Sequence, residues 1–206
     1  MQSKKEEVWN SASHSLGILL GVVGLVLLLI YDSGKTVYST FSILLYTCSI
    51  IVLYSASTLY HAVRDIKQKN IFRSLDHISI YLLIAGTYTP VALISLEASS
   101  GWLIFWIVWG IAALGTILKI FFTGRFELFS VLLYLIMGWL IVIDFSSLIA
   151  IQSTFGLILL MLGGAFYTLG IVFYAIEKIP FNHVIWHFFV LGGSISHFFF
   201  ILLDVV

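Results

Sequence analysis

Long apolar runs alternate with short polar segments along almost the whole chain. A membrane-spanning helix needs about 20 predominantly apolar residues, and seven runs are close to that length. None of them shows the strict alternation of apolar and polar residues that is typical of transmembrane barrel strands. The pattern therefore predicts an all-α integral membrane protein, a bundle of seven transmembrane helices. The predicted helices span about 14–31, 40–62, 75–96, 102–121, 127–146, 154–176 and 182–204.

The connections between these runs are short, which predicts one compact membrane domain over residues 1–206 and leaves no room for a second domain. The first run, Leu16 to Ile30, follows Lys4 and Lys5 and superficially resembles a signal peptide. It has no clear small-x-small cleavage site, and we expect it to be retained as a helix.

The composition supports a membrane location. The chain has 206 residues, of which 61% are hydrophobic and 10% charged, whereas soluble domains carry roughly 25% charged residues. Ten basic residues balance ten acidic ones, so no basic patch indicates a nucleic-acid partner. The single Cys48 excludes an internal disulfide and argues against a cysteine-based metal site. We expect a multi-pass protein of the cell membrane, and nothing in the sequence implies a protein partner.

The basic residues predict the orientation of the bundle, because short cytoplasmic loops carry an excess of Lys and Arg. Only Lys35 lies on the opposite side from the other nine. We therefore expect a cytoplasmic N-terminus and an external C-terminus. The nine are Lys4, Lys5, Arg64, Lys67, Lys69, Arg73, Lys119, Arg125 and Lys178.

Polar residues gather at four helix ends that this orientation brings to the cytoplasmic side. They stand where predicted helices 1, 3 and 7 begin and where helix 2 ends, so we expect them at one membrane level. These residues are Glu7, Asn10 and His14 in helix 1, Ser57 and His61 in helix 2, Asp76 and His77 in helix 3, and His183 and His187 in helix 7.

Imidazole and carboxylate groups suit a borderline metal ion. His183 and His187 have the i, i+4 spacing that places two ligands on one helix face, and His61 could supply a third nitrogen. Asp76 could bind the metal directly or hold its water, and Ser57 could donate a hydrogen bond to Asp76 or to a polarised oxygen. Each group also has an ordinary reading, as an interfacial polar residue or a helix cap.

Two further histidines remain open at this level. His77 points about 100° away from Asp76 on a helical wheel, toward another helix or the lipid headgroups. His197 lies roughly 15 Å deeper than His187, either facing a substrate or as a buried, hydrogen-bonded histidine.

The motifs also resemble a known family. The order E-x2-N-x3-H, S-x3-H, an Asp opening the next helix, and H-x3-H-x9-H is similar to that of the hemolysin III group. This group is the bacterial branch of the progestin and adipoQ receptor (PAQR) family. The stretches "YSASTLYH" and "HVIWHFFVLGGSISH" carry the resemblance most strongly, and it covers essentially the whole chain.

The resemblance implies seven helices, a cytoplasmic N-terminus and a zinc ion, Zn²⁺, near the cytoplasmic side. It implies that His61, His183 and His187 are the zinc ligands, that Asp76 sits beside the zinc through a water, and that Ser57 is a polar neighbour. Glu7, Asn10, His14 and His197 would then support the ligands or face the substrate. The wider superfamily includes the alkaline ceramidases, which use zinc on lipid amides.

Three functions follow as hypotheses. The first is a zinc-dependent, ceramidase-like hydrolase that acts on a membrane lipid amide or ester, with Asp76 and Ser57 as catalytic residues. The second is a pore-forming cytolysin, which the hemolysin name implies but no polar stripe along a helix supports. The third is a receptor-like sensor in which zinc is structural, and short loops leave little surface for a large external ligand.

Overall fold

The computed structural model describes residues 2–206, so residue 1 of the predicted domain lies outside it. Within that range, seven helical segments are long and apolar enough to cross a membrane, and no strand is present, which confirms the predicted fold class. The α-helices are α1 (Lys4–Tyr31), α2 (Ser39–Ala62), α3 (Ile66–Pro90), α4 (Gly101–Phe122), α5 (Glu127–Gly138), α6 (Phe145–Ile151), α7 (Thr154–Ala175) and α8 (Asn182–Phe200).

Helices α1 and α3 begin well before the expected residues 14 and 75. Ser3 accepts a hydrogen bond from the Glu6 backbone, and the Glu6 side chain accepts one from the Ser3 backbone, so a capping box starts α1. Asp65 caps α3 with a single bond, in which its side chain accepts from the Gln68 N–H. The apolar runs mark only the lipid-buried part of each helix. Asp76 therefore lies well inside α3, and the expectation that it opens this helix is wrong.

The fifth crossing is a broken helix rather than the continuous one expected over residues 127–146. Helix α5 ends at Gly138, a 3₁₀ turn spans Leu140–Asp144, and α6 completes the crossing to Ile151. The Tyr88 hydroxyl donates to the Gly138 carbonyl at 2.9 Å and accepts from the Ile141 N–H at 2.9 Å. Tyr88 thus satisfies backbone groups that lipid could not.

Helices α2 and α3 are the most buried crossings, and α1 packs against both α2 and α8. Close packing between α2 and α3 depends on Gly86, because a Cβ there would overlap the side chain of Ser49. Large apolar side chains cover the outer surfaces of the bundle, as expected where lipid is the solvent. This packing brings the start of α1, the end of α2 and the start of α8 together at one end.

Candidate metal centre

Three histidines from two helices meet at that end of the bundle. His61 lies in the last turn of α2, and His183 and His187 lie one turn apart at the start of α8. Each offers one ring nitrogen, and these nitrogens lie within 4.8 Å of one another. The i, i+4 spacing places His183 and His187 on one face of α8, and His61 at the end of α2 supplies the third nitrogen. The group could hold a metal ion.

The His61 ring is held by the first turn of α1. Its Nδ1 lies 2.6 Å from Oε2 of Glu7. Because a carboxylate only accepts hydrogen bonds, we assign the ring proton to Nδ1. The buried Nε2 then carries a lone pair, and it has no hydrogen-bond partner within residues 2–206. A ligand histidine whose other nitrogen donates to a carboxylate is a recurrent arrangement at metal sites.

Lys69 fixes the Glu7 carboxylate from the other side. Its Nζ donates to Oε1 of Glu7 at 2.8 Å and to the Tyr60 carbonyl at 3.1 Å. The sequence interpretation counted Lys69 only as a loop charge that sets orientation. Its place in the first turns of α3 follows from the Asp65 cap, which is the sequence signal that could have identified it.

Helix α1 also orients His187. The Nδ1 of His187 donates to the backbone carbonyl of Asn10 at 3.3 Å, and the Ser13 hydroxyl lies 3.5 Å away. Nδ1 therefore carries the proton, and Nε2 of His187 is left as an acceptor, as in His61. Asn10 also places its side-chain amide 3.5 Å from Nδ1 of His61. Ser13 was missed from the sequence, although it follows Asn10 at i+3 on the same face.

His14 packs directly on a member of the cluster. Its ring is stacked on that of His187, with centroids 3.6 Å apart and 8° between the planes, and it meets the Tyr54 ring edge-on. The side chain is buried, and neither ring nitrogen has a hydrogen-bond partner within residues 2–206. His14 therefore contacts the site through its ring face.

Asp76 and Ser57 lie beside the cluster but are not members of it. The Asp76 carboxyl is next to the Ser57 side chain and within electrostatic reach of the His61 ring. Ser57 is buried, and its hydroxyl makes no hydrogen bond of normal geometry to any residue from 2 to 206. Asp76 and Ser57 therefore form a polar pair beside the ring of His61.

The remaining two histidines face elsewhere. His77 places Nδ1 3.5 Å from Oε2 of Glu127, on the side of α4 and α5. His197 directs Nε2 to the Leu160 carbonyl at 3.2 Å and lines a separate cavity that Thr87 and Tyr88 also line. Neither joins the three-histidine group.

The fold and the cluster define a multi-pass membrane protein with a three-histidine group that could hold a metal ion. Comparison with known sequences narrows this class. The profile of the family described as Haemolysin-III related matches residues 2–198, and the chain belongs to that family. The resemblance read from the motifs is thereby confirmed.

Similar proteins occur in bacteria and in animals. The chain is 44% identical to Hemolysin-3 of Bacillus cereus over 206 residues, covering 100% of this chain and 94% of that protein. It is 44% identical to a Hemolysin-3 homolog of Bacillus subtilis (strain 168), covering 96% and 93%. It is 28% identical to the monocyte to macrophage differentiation factor of Homo sapiens, covering 94% and 82%.

Proposed function

We propose that this protein is a zinc-dependent hydrolase that acts on an amide or ester bond of a membrane lipid. One observation carries the proposal: α1 engages Nδ1 of both His61 and His187, which leaves Nε2 of each ring as the lone-pair nitrogen that a metal ion in the group could bind. Three neutral imidazoles are a common catalytic zinc set, which leaves a coordination position for water or substrate. His183 supplies the third nitrogen from the same face of α8 as His187.

The residues around the cluster suit hydrolysis. Bound zinc would polarise a substrate carbonyl and make water more acidic. The Asp76 carboxylate would accept a proton from the attacking water and later return it to the leaving group. The Ser57 hydroxyl, which lies beside Asp76, would donate a hydrogen bond to the oxygen on which negative charge develops. Glu7 and Asn10 would hold the two ligand rings during these steps.

The location of the cluster favours a lipid substrate. It lies at the end of the bundle where α1 begins, which the basic residues predict to be the cytoplasmic side. A lipid of the inner leaflet would bring its headgroup linkage to this depth while its acyl chains stay among the apolar helix faces. We therefore expect entry from the inner leaflet rather than from the external solution.

Metal analysis combined with lipid turnover tests the proposal. The purified protein should contain zinc and hydrolyse at least one member of a panel of ceramides, other N-acyl lipids and ester lipids. Asp76→Asn should retain zinc and lose turnover by about 10²-fold or more. Asp32→Asn, at the opposite end of α1, is the matched control and should leave both unchanged. A zinc-loaded protein that is inert toward the whole panel would contradict the proposal.

Lytic activity is a second candidate, and the names of the two Bacillus relatives favour it. It predicts dye leakage from vesicles that contain the reconstituted protein. The double variant His61→Ala/His187→Ala separates the two functions. Leakage that persists after zinc and turnover are lost would assign lysis to the bundle itself, and leakage that disappears with turnover would make it a result of lipid hydrolysis.

A further inference from the structure

A second site lies where α4 ends and α5 begins, and it shares no residue with the histidine group. An open cavity of about 320 Å³ lies between the two helices. Its lining residues include the polar Lys119, Arg125 and Ser130 and the aromatic Phe122, Phe126 and Phe129. The combination of cations with an apolar wall indicates an amphiphilic ligand.

Lys119 is the most unusual of these residues, because a lysine side chain is only 1% exposed here. Buried charges are costly unless they are paired. Its Nζ donates one hydrogen bond, to Oε2 of Glu127 at 3.0 Å, although an ammonium group has three donors. The lysine thus retains donor capacity at the edge of the cavity.

The single negative charge of Glu127 does not balance the positive charges around it. Arg73 of α3 approaches Oε1 of the same carboxylate at 3.8 Å, beyond hydrogen-bond distance, and its side chain is 42% exposed. The Arg73 guanidinium also lies against Gly124, where an added Cβ would be 3.4 Å from Nη1, and Gly124 adjoins Arg125. Arg73 and Lys119 therefore share the Glu127 carboxylate, and Arg125 adds a third positive charge to the lining of the cavity, which leaves an excess of positive charge.

The apolar part of the cavity faces outward. Phe122, Phe126 and Phe129 are 41%, 65% and 48% exposed, and the first two rings pack edge to face at 5.9 Å. Phe126 has a left-handed backbone with φ of 56°, which turns the chain from the loop into α5. The rings form a wall along which acyl chains can lie, directly beside the cations.

We propose that this cavity binds an anionic phospholipid of the surrounding leaflet. The phosphate would accept hydrogen bonds from Arg125, Arg73 and Lys119, and the acyl chains would pack on the phenylalanine rings. Basic pockets between membrane helices recognise anionic headgroups by the same chemistry. The aromatic wall favours a lipid over free phosphate, which has nothing to place there. The site is independent of the zinc hydrolase proposal.

The test uses the full-length protein in detergent micelles, with phosphatidylglycerol, phosphatidylcholine or glycerol phosphate added in turn. Native mass spectrometry measures the number of retained lipids, and the thermal unfolding midpoint measures stabilisation. The protein should retain phosphatidylglycerol at least tenfold more than phosphatidylcholine. Arg73→Gln/Arg125→Gln should remove this preference while zinc content and elution volume stay unchanged.

Arg64→Gln/Lys67→Gln is the matched control, because it removes two charges from the same end of the bundle but away from the cavity. It should keep the preference for phosphatidylglycerol. An equal loss in the control would show general attraction to the basic face, which overturns the site. Equal retention of the two lipids by the unmodified protein, or displacement of phosphatidylglycerol by glycerol phosphate, would also overturn it.

Discussion

The Glu7 carboxylate and Nδ1 of His61 are 2.6 Å apart, although 54 residues separate them in the sequence. The contact joins the first turn of α1 to the last turn of α2 and leaves Nε2 of His61 as the lone-pair nitrogen of the ring. Helix α1 contributes no ligand to the group, yet it holds two of the three rings through Glu7 and the Asn10 carbonyl.

The carboxylate of Glu7 should therefore tune metal affinity. Glu7→Gln keeps the size of the side chain but removes its charge, and loss of such a supporting carboxylate costs about 10–100-fold in metal affinity. Competition with a chromophoric chelator measures the change. Glu6→Gln is the control, because glutamine can preserve the capping box at the neighbouring position. Equal affinity in the Glu7 variant and the unmodified protein would contradict the role assigned to Glu7.

Metal content should depend on His61 and His187 and not on His77. His61→Ala and His187→Ala should each reduce bound metal to background in elemental analysis of the purified protein. His77→Ala should leave the metal content unchanged, since His77 pairs with Glu127 instead. Loss of metal from the His77 variant alone would contradict the assigned site and indicate a metal site between α3 and the start of α5.

His14 offers a test of contact through the ring face. His14→Phe keeps an aromatic ring on His187 and removes two buried nitrogens that have no partner within residues 2–206, so the free energy of unfolding should stay equal or rise. His14→Ala leaves a cavity and should cost about 2–4 kcal/mol. Chemical unfolding in detergent measures both variants. If His14→Phe is stable but loses metal, a His14 nitrogen takes part in the site.

Gly86 should be indispensable for packing α2 against α3. Gly86→Ala forces a Cβ into Ser49 and should destabilise the bundle by about 1–3 kcal/mol. Gly164→Ala is the control, because its added Cβ would have no atom within 4 Å apart from its chain neighbours and the backbone of its own helix, and a helical Gly→Ala change there should stabilise by up to about 1 kcal/mol. A second change, Ser49→Ala, should partly rescue the Gly86 variant. Thermal unfolding compares all four proteins.

Tyr88 should support the broken fifth crossing. Tyr88→Phe removes the hydroxyl that serves the Gly138 carbonyl and the Ile141 N–H, and leaving such groups unpaired costs about 1–3 kcal/mol. Tyr31→Phe, at an exposed position, should change the free energy of unfolding by less than about 0.5 kcal/mol. If the two variants have the same free energy of unfolding, other groups form hydrogen bonds with the Gly138 carbonyl and the Ile141 N–H.

Hydropathy and motif spacing were sufficient to predict the helices and to bring His61, His183 and His187 to one level. They were not sufficient for helix ends, because Ser3 and Asp65 start helices in polar sequence where no apolar run exists. Hydropathy and motif spacing also could not predict the break after Gly138, because the sequence stays apolar through it. The hydrogen bonds that compensate for the break come from Tyr88, 50 residues earlier.

Contacts between distant helices account for the rest. From the sequence, Lys69 contributes only to the predicted orientation of the bundle. In the structure its Nζ lies 2.8 Å from Oε1 of Glu7 on α1. Lys119 likewise reads as a loop cation, and only the packing of α4 and α5 shows that its side chain is buried against Glu127. Such pairings depend on which helix faces meet, and a single sequence carries no direct record of that.

The attachment of the first and last helices to one histidine group has a consequence for biogenesis. A chain that has been synthesised only through α7 contains His61 but neither His183 nor His187, so it has one of the three candidate ligands and would not retain an ion. The group is complete only after α8 has entered the bilayer beside α1. Tight metal retention would therefore mark a fully inserted chain, and truncated or misassembled copies would be recognisable by their inability to hold the ion.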